Sequence, residues 1–125
     1  MKKIYYAHPV YSYGTGEEVK YLEQVEKIFS GYQIVNPSQF QSTDMEFYLR
    51  LVYHADAIAY FGKTRGVIAE VYFGLTLHKP VYSLAMKKYI SGNDYWELEM
   101  RIAFESHASC IGDEKLMHQI SLMPF

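Results

Sequence analysis

Apolar positions along this chain alternate between two spacings, and each change of spacing predicts a change of element. Lys3-Ile4-Tyr5-Tyr6-Ala7 is short and β-prone and ends at His8-Pro9, which predicts a buried first strand. Tyr11 to Gly16 reads as a loop, because two glycines and small hydroxyl residues interrupt any periodicity. From Glu17 to Phe29, the residues Val19, Leu22, Val25, Ile28 and Phe29 recur at helical spacing. Glu17 and Glu18 stand in the first turn, where the helix dipole favours acids, and Gly31 follows the last turn. Gln33-Ile34-Val35 predicts a second strand, stopped by Asn36-Pro37. Thr43-Asp44-Met45-Glu46 matches a capping box and predicts a helix from about Asp44 to His54. Its inward face is either Phe47, Leu51 and His54 or Leu49 and Val52. Asp56 to Phe61 predicts a third strand, Gly62 to Gly66 a loop, Val67 to His78 an apolar helix and Pro80 to Leu84 a fourth strand. A loop around Ser91-Gly92-Asn93 leads to a helix from about Asp94 to Glu105, with a short last strand at Ala108 to Ile111.

Strands that alternate with helices at this spacing need right-handed crossovers and a parallel sheet covered on both faces. The expectation is one α/β domain over residues 1–125, a three-layer sandwich of flavodoxin or Rossmann type. Its four- or five-stranded parallel sheet is expected in the order 2-1-3-4(-5). Ligands of such sheets bind beyond the carboxyl ends of the strands where the winding reverses, here between strands 1 and 3. That rule selects the loops His8 to Gly16 and Phe61 to Gly66.

Composition narrows the function classes. The chain has 125 residues, 50% of them hydrophobic and 21% charged, which excludes the disordered and low-complexity classes. A formal charge of −2 offers no electrostatic case for a nucleic-acid or membrane partner. One cysteine, Cys110, forms no intrachain disulfide, and Met1-Lys2-Lys3 runs straight into a strand, so the cytoplasm is the expected location. No spacing of His and Cys suggests a metal or a redox centre, and no cofactor is expected. Aromatic residues, 13 Tyr, 7 Phe and 1 Trp, are the unusual quantity. They predict a homodimer or higher homo-oligomer with an aromatic interface, or a pocket for a flat ligand.

Glu70 is the single acid between Gly66 and Leu77. Near the start of a helix that points at the cleft, it is expected to stay ionised beside backbone N–H groups and to act as a nucleophile. His8 is a candidate hydrogen-bond donor or acid. Ser12, Gly14, Thr15 and Gly16 precede the first helix and can cradle a phosphate with their N–H groups. Phe61, Gly62, Lys63, Arg65 and Gly66 form the second loop, where the cations are candidate phosphate partners. Asn93 either caps the last long helix or reaches the site.

Lys3 to Ala7 with its loop, Ala55-Asp56 at the start of a strand, and Gly66 through Glu70 to Lys79-Pro80-Val81 resemble the nucleoside 2-deoxyribosyltransferase-like superfamily, which includes nucleotide N-glycosidases. The resemblance covers roughly residues 3 to 84 and is most specific in the ten-residue step from Glu70 to Pro80. It implies that Glu70 attacks the anomeric carbon of a nucleoside or nucleotide, that the first-strand loop binds sugar or phosphate, and that sites lie near subunit interfaces. Four positions depart from the pattern. Tyr48 and Phe61 stand where the family commonly has acids, Tyr72 replaces a small residue, and His78 replaces a glycine. An acid that protonates the leaving base is usually worth roughly 10²–10⁴ in rate. Two functions are therefore expected in competition, N-glycosidic cleavage or transfer through Glu70, and non-catalytic binding of a nucleotide or nucleotide-derived signal.

Overall fold

The computed structural model describes residues 1–91, in which a five-stranded sheet carries helices on both faces. The elements are β1 (Lys3–Ala7), α1 (Gly16–Ile28), β2 (Gln33–Val35), α2 (Met45–His54), β3 (Ala57–Tyr60), α3 (Arg65–Thr76), β4 (Val81–Ser83) and β5 (Lys88–Ile90). Short 3₁₀ turns at Val10–Ser12 and Pro37–Gln39 follow β1 and β2. The strand order is β2-β1-β3-β4-β5, and β1 pairs in parallel with both β2 and β3, as β3 does with β4.

The period of two along β1 and β3 divides the core. Ile4, Tyr6, Ala57 and Ala59 face α1 and pack with its Val25 and Phe29. Tyr5, Ala7, Ile58 and Tyr60 face the other way, onto Leu49 and Val52 of α2 and Val67, Ala69, Val71 and Tyr72 of α3. Strands buried on both faces are what an α/β sandwich requires. Gly74 lets α3 come down onto the sheet, since a Cβ there would overlap the Ile58 side chain.

The helix ends follow from local chemistry. The Thr15 side chain caps α1 by accepting from the Glu18 N–H. For α2 the cap is Asp44, one residue later than the capping box suggested, and its carboxylate accepts from the Glu46 N–H at 3.0 Å. At the other end of α2, Lys79 Nζ donates to the carbonyls of Val52 (2.9 Å), Tyr53 and Ala55, satisfying acceptors that the last helical turn leaves open.

Several expectations are corrected. Only Val25 and Phe29 of the anticipated stripe on α1 are fully buried; Val19 and Ile28 are exposed, so the buried face is narrower than the apolar pattern. On α2 the inward pair is Leu49 and Val52. α3 begins at Arg65, placing Gly66 inside the helix, and the chain leaves it through His78 in a left-handed conformation (φ 58°). The fifth strand is antiparallel, not parallel, and lies at Lys88–Ile90. Lys87, also left-handed (φ 56°), reverses the chain, and the Ser83 hydroxyl accepts from the Met86 N–H at 3.1 Å in the same turn. The helix expected at Asp94 to Glu105 and the strand at Ala108 to Ile111 lie outside the described residues. Among the described residues, no helix is long and apolar enough to cross a membrane.

Candidate functional site

Beyond the carboxyl ends of β1 and β3, where the winding reverses, a cleft of about 630 Å³ opens between three segments. The loop after β1 supplies His8, Val10, Tyr11 and Tyr13. Pro37, Phe40, Ser42 and Thr43, with Met45 and Tyr48 of α2, form the facing wall. The first turns of α3 and its cap close the floor with Thr64, Arg65, Gly66, Val67 and Glu70.

The loop after β1 is held in shape by its own bonds. Pro9 O accepts from both the N–H (3.0 Å) and the hydroxyl (2.6 Å) of Ser12, so Ser12 is spent on the turn. His8 Nδ1 donates to the Tyr6 carbonyl at 2.8 Å, and its Nε2 lies 2.6 Å from Glu18 Oε2. Glu18 Oε1 meanwhile accepts from the Gly14 N–H at 3.2 Å. Burial pushes the Glu18 carboxyl up, but the bonds from His8 and Gly14 outweigh it and hold the group below the usual carboxylate range. The His8 ring also stacks on the Tyr6 ring at 4.0 Å and meets the Tyr13 ring, tilted by 53°, at 4.9 Å. This clasp positions Tyr13 in the cleft.

The loop after β3 is locked to the first. Gly62 adopts φ 87°, and a Cβ on it would overlap the Pro9 ring, so only glycine fits both the conformation and the space. Phe61 points to the opposite face of the sheet, stacking on Tyr21 at 4.3 Å.

Glu70 is 7% exposed and lines the cleft. Burial pushes its carboxyl from 4.5 up to about 8, with the neighbouring Tyr5 hydroxyl pulling the other way. At neutral pH it is therefore mostly the acid, which corrects the expectation of an ionised group. Glu70 is the sixth residue of α3, and the dipole's influence falls off within the first turn. Desolvation acts at full strength there. Neither Glu70 Oε2 nor the Tyr5 hydroxyl has a partner at hydrogen-bond geometry among the described residues.

Around this carboxyl stand phenols. Burial, then the field of Glu70, raises both Tyr5 and Tyr13 above the ordinary tyrosine range, with Tyr48 adding to each. The Tyr48 hydroxyl donates to the Ser42 carbonyl at 2.6 Å and pins the facing wall.

Of the sequence-derived candidates, His8, Arg65, Gly66 and Glu70 meet in the cleft. Ser12, Gly14 and Gly16 shape the adjoining loop and α1 start, and Phe61 and Gly62 support the site from behind. Asn93 lies outside the described residues. Phe40, Ser42, Thr43 and Met45 were missed, and the aromatic excess signalled only Phe40 among them; Tyr13 lay in the selected first loop and Tyr48 at a position where the resemblance places an acid, but neither was named as a site residue. Among the described residues, no group of three or more His, Cys, Asp or Glu side chains could hold a metal ion. In comparisons with known proteins, the chain matches no family model, no curated protein and no solved structure.

Proposed function

We propose that this protein binds a nucleoside or nucleotide in the cleft and cleaves or transfers its N-glycosidic bond through Glu70. The observation that carries the reading is a buried carboxyl with an unpartnered oxygen, set among aromatic rings at the switch point of the sheet. Aromatic walls suit a flat base, and ribose hydroxyls offer the missing partner to Oε2. The carboxylate attacks the anomeric carbon, forming a glycosyl ester that water or a second base resolves. Because attack needs the ionised form, kcat/KM rises with pH toward about 8, where Glu70 titrates.

The test is release of free base from nucleosides, deoxynucleosides and their monophosphates, followed by chromatography. Glu70→Gln keeps the volume and removes the nucleophile, so it abolishes release while retaining fold and ligand binding. Undiminished turnover in that variant refutes the assignment. A second reading, non-catalytic nucleotide binding, is favoured by the resting acid form of Glu70 and by aromatic Tyr48 and Phe61 at positions where acids were expected. Tight monophosphate binding with no base released over hours supports it.

A further inference from the structure

We propose that the cleft takes nucleosides whose base carries a fixed positive charge, of the pyridinium or N-alkylpurinium class, a proposal that rests on the glycosyl-transfer reading above. Tyr13, Phe40 and Tyr48 reach the same cleft as Glu70 from three separate segments, and Tyr11 adds a fourth ring at the lip. Aromatic faces attract cations, and an acid beside them completes the recognition of a flat cation. For Glu70 the effect is large, because its burial makes ionisation costly unless a positive charge arrives with the ligand. A neutral base brings no such charge. A cationic base turns the buried acid into a paired carboxylate as it binds, releasing the proton to solvent.

The same charge solves the leaving-group problem. When the C1′–N bond of a cationic nucleoside breaks, the bonding pair moves onto the ring nitrogen and cancels its charge, so the base departs neutral with no proton supplied. A Glu70 oxygen forms the new bond to C1′, and water later cleaves that ester to give the free sugar, restoring the carboxylate and a proton. The groups that face Glu70 are poor proton donors. Tyr5 and Tyr13 are raised by burial and by Glu70 itself, and the Tyr48 hydroxyl is committed to Ser42. His8 is engaged at both nitrogens by Tyr6 and Glu18. Arg65, exposed on the first turn of α3, also lines the cleft, but what shifts Glu70 is its burial and the Tyr5 hydroxyl, not the Arg65 charge.

The experiment gives the full chain matched pairs: nicotinamide riboside with its dihydro form, and 7-methylguanosine with guanosine. Base release is followed by chromatography, and binding by calorimetry at pH 7 in two buffers of different ionisation enthalpy. The cationic member of each pair is expected to react with kcat/KM at least roughly 100-fold higher, net of spontaneous loss, with Glu70→Gln inactive. Its binding releases about one proton, and that of the neutral member none. Tyr13→Leu weakens cation binding about 2- to 30-fold and leaves the neutral member within about twofold. Equal or faster release from the neutral members overturns the charge preference and leaves the glycosyl-transfer reading standing. Proton-coupled cation binding without base release overturns the transfer reading instead. Absence of both binding and release overturns the two together.

Discussion

Glu70→Gln tests the electrostatics of the cleft without any substrate. Below pH 4.5 the carboxyl is protonated in both folded and unfolded chains, and its burial is fully compatible with folding. Between 4.5 and about 8 the unfolded chain releases the proton and the folded chain keeps it, so stability falls as pH rises; above about 8 the loss is complete. At ~1.4 kcal/mol per pH unit, the shift from 4.5 to about 8 corresponds to ~5 kcal/mol, a large part of the stability of a small domain. Relaxation around the charged form makes that figure an upper bound, and about 3–5 kcal/mol is the expected range. Urea unfolding followed by circular dichroism from pH 5 to 9 measures it, with wild type and Glu70→Gln compared at each pH. Other groups that titrate in this window contribute to both proteins and cancel in the difference. The variant should gain on the wild type steadily from pH 5 to 8 and hold a constant advantage above that. Two curves that run parallel over the whole range would refute the buried-acid argument.

Three further outcomes are expected. Gly62→Ala forces a left-handed alanine against Pro9 and should cost about 2–4 kcal/mol by the same urea assay, with weaker ligand binding because both cleft loops shift. Lys79→Met removes the donor that serves three carbonyls at the end of α2 and should cost about 1–3 kcal/mol, with amide exchange accelerating first in the last turn of that helix. Val10 and Tyr11, 74% and 70% exposed at the cleft mouth, support self-association, so light scattering at micromolar concentration should show a dimer or larger assembly; a monomer counts against it.

The layers of the fold were readable because each buried strand and helix advertises its period. Ile4 and Tyr6 against Tyr5 and Ala7 alternate over a strand that is apolar on both faces, and Leu49 and Val52 recur at a helical step. β5 gave no such signal: Lys88 and Tyr89 are exposed, leaving Ile90 alone to face the core, and its turn is made by a lysine where glycine or asparagine would announce one. The location of the cleft followed from strand order, and with it Glu70. Its lining did not, because whether Tyr13 and Tyr48 point inward depends on the His8–Glu18 clasp and on the Ser42 carbonyl, partners that only the folded chain brings within reach. The charge state of Glu70 was misread for a similar reason, since burial is a property of neighbours and not of position along a helix.

The nesting of Pro9 against Gly62 also governs how the cleft can move. With the ring of one loop filling the space beside the other's Cα, the two switch-point loops are mechanically coupled and travel as one block with the ends of β1 and β3. The segment from Phe40 to Thr43 has no comparable interlock among the described residues; it is held by the Tyr48–Ser42 hydrogen bond, by the Asp44 N–H on the Ser42 hydroxyl and the Phe40 N–H on the Pro37 carbonyl, and by the edge-on contact of Phe40 with Phe47 at 5.5 Å. Adaptation to a ligand is therefore expected to be one-sided, with the interlocked loops keeping their shape and the Phe40–Thr43 wall making the adjustment.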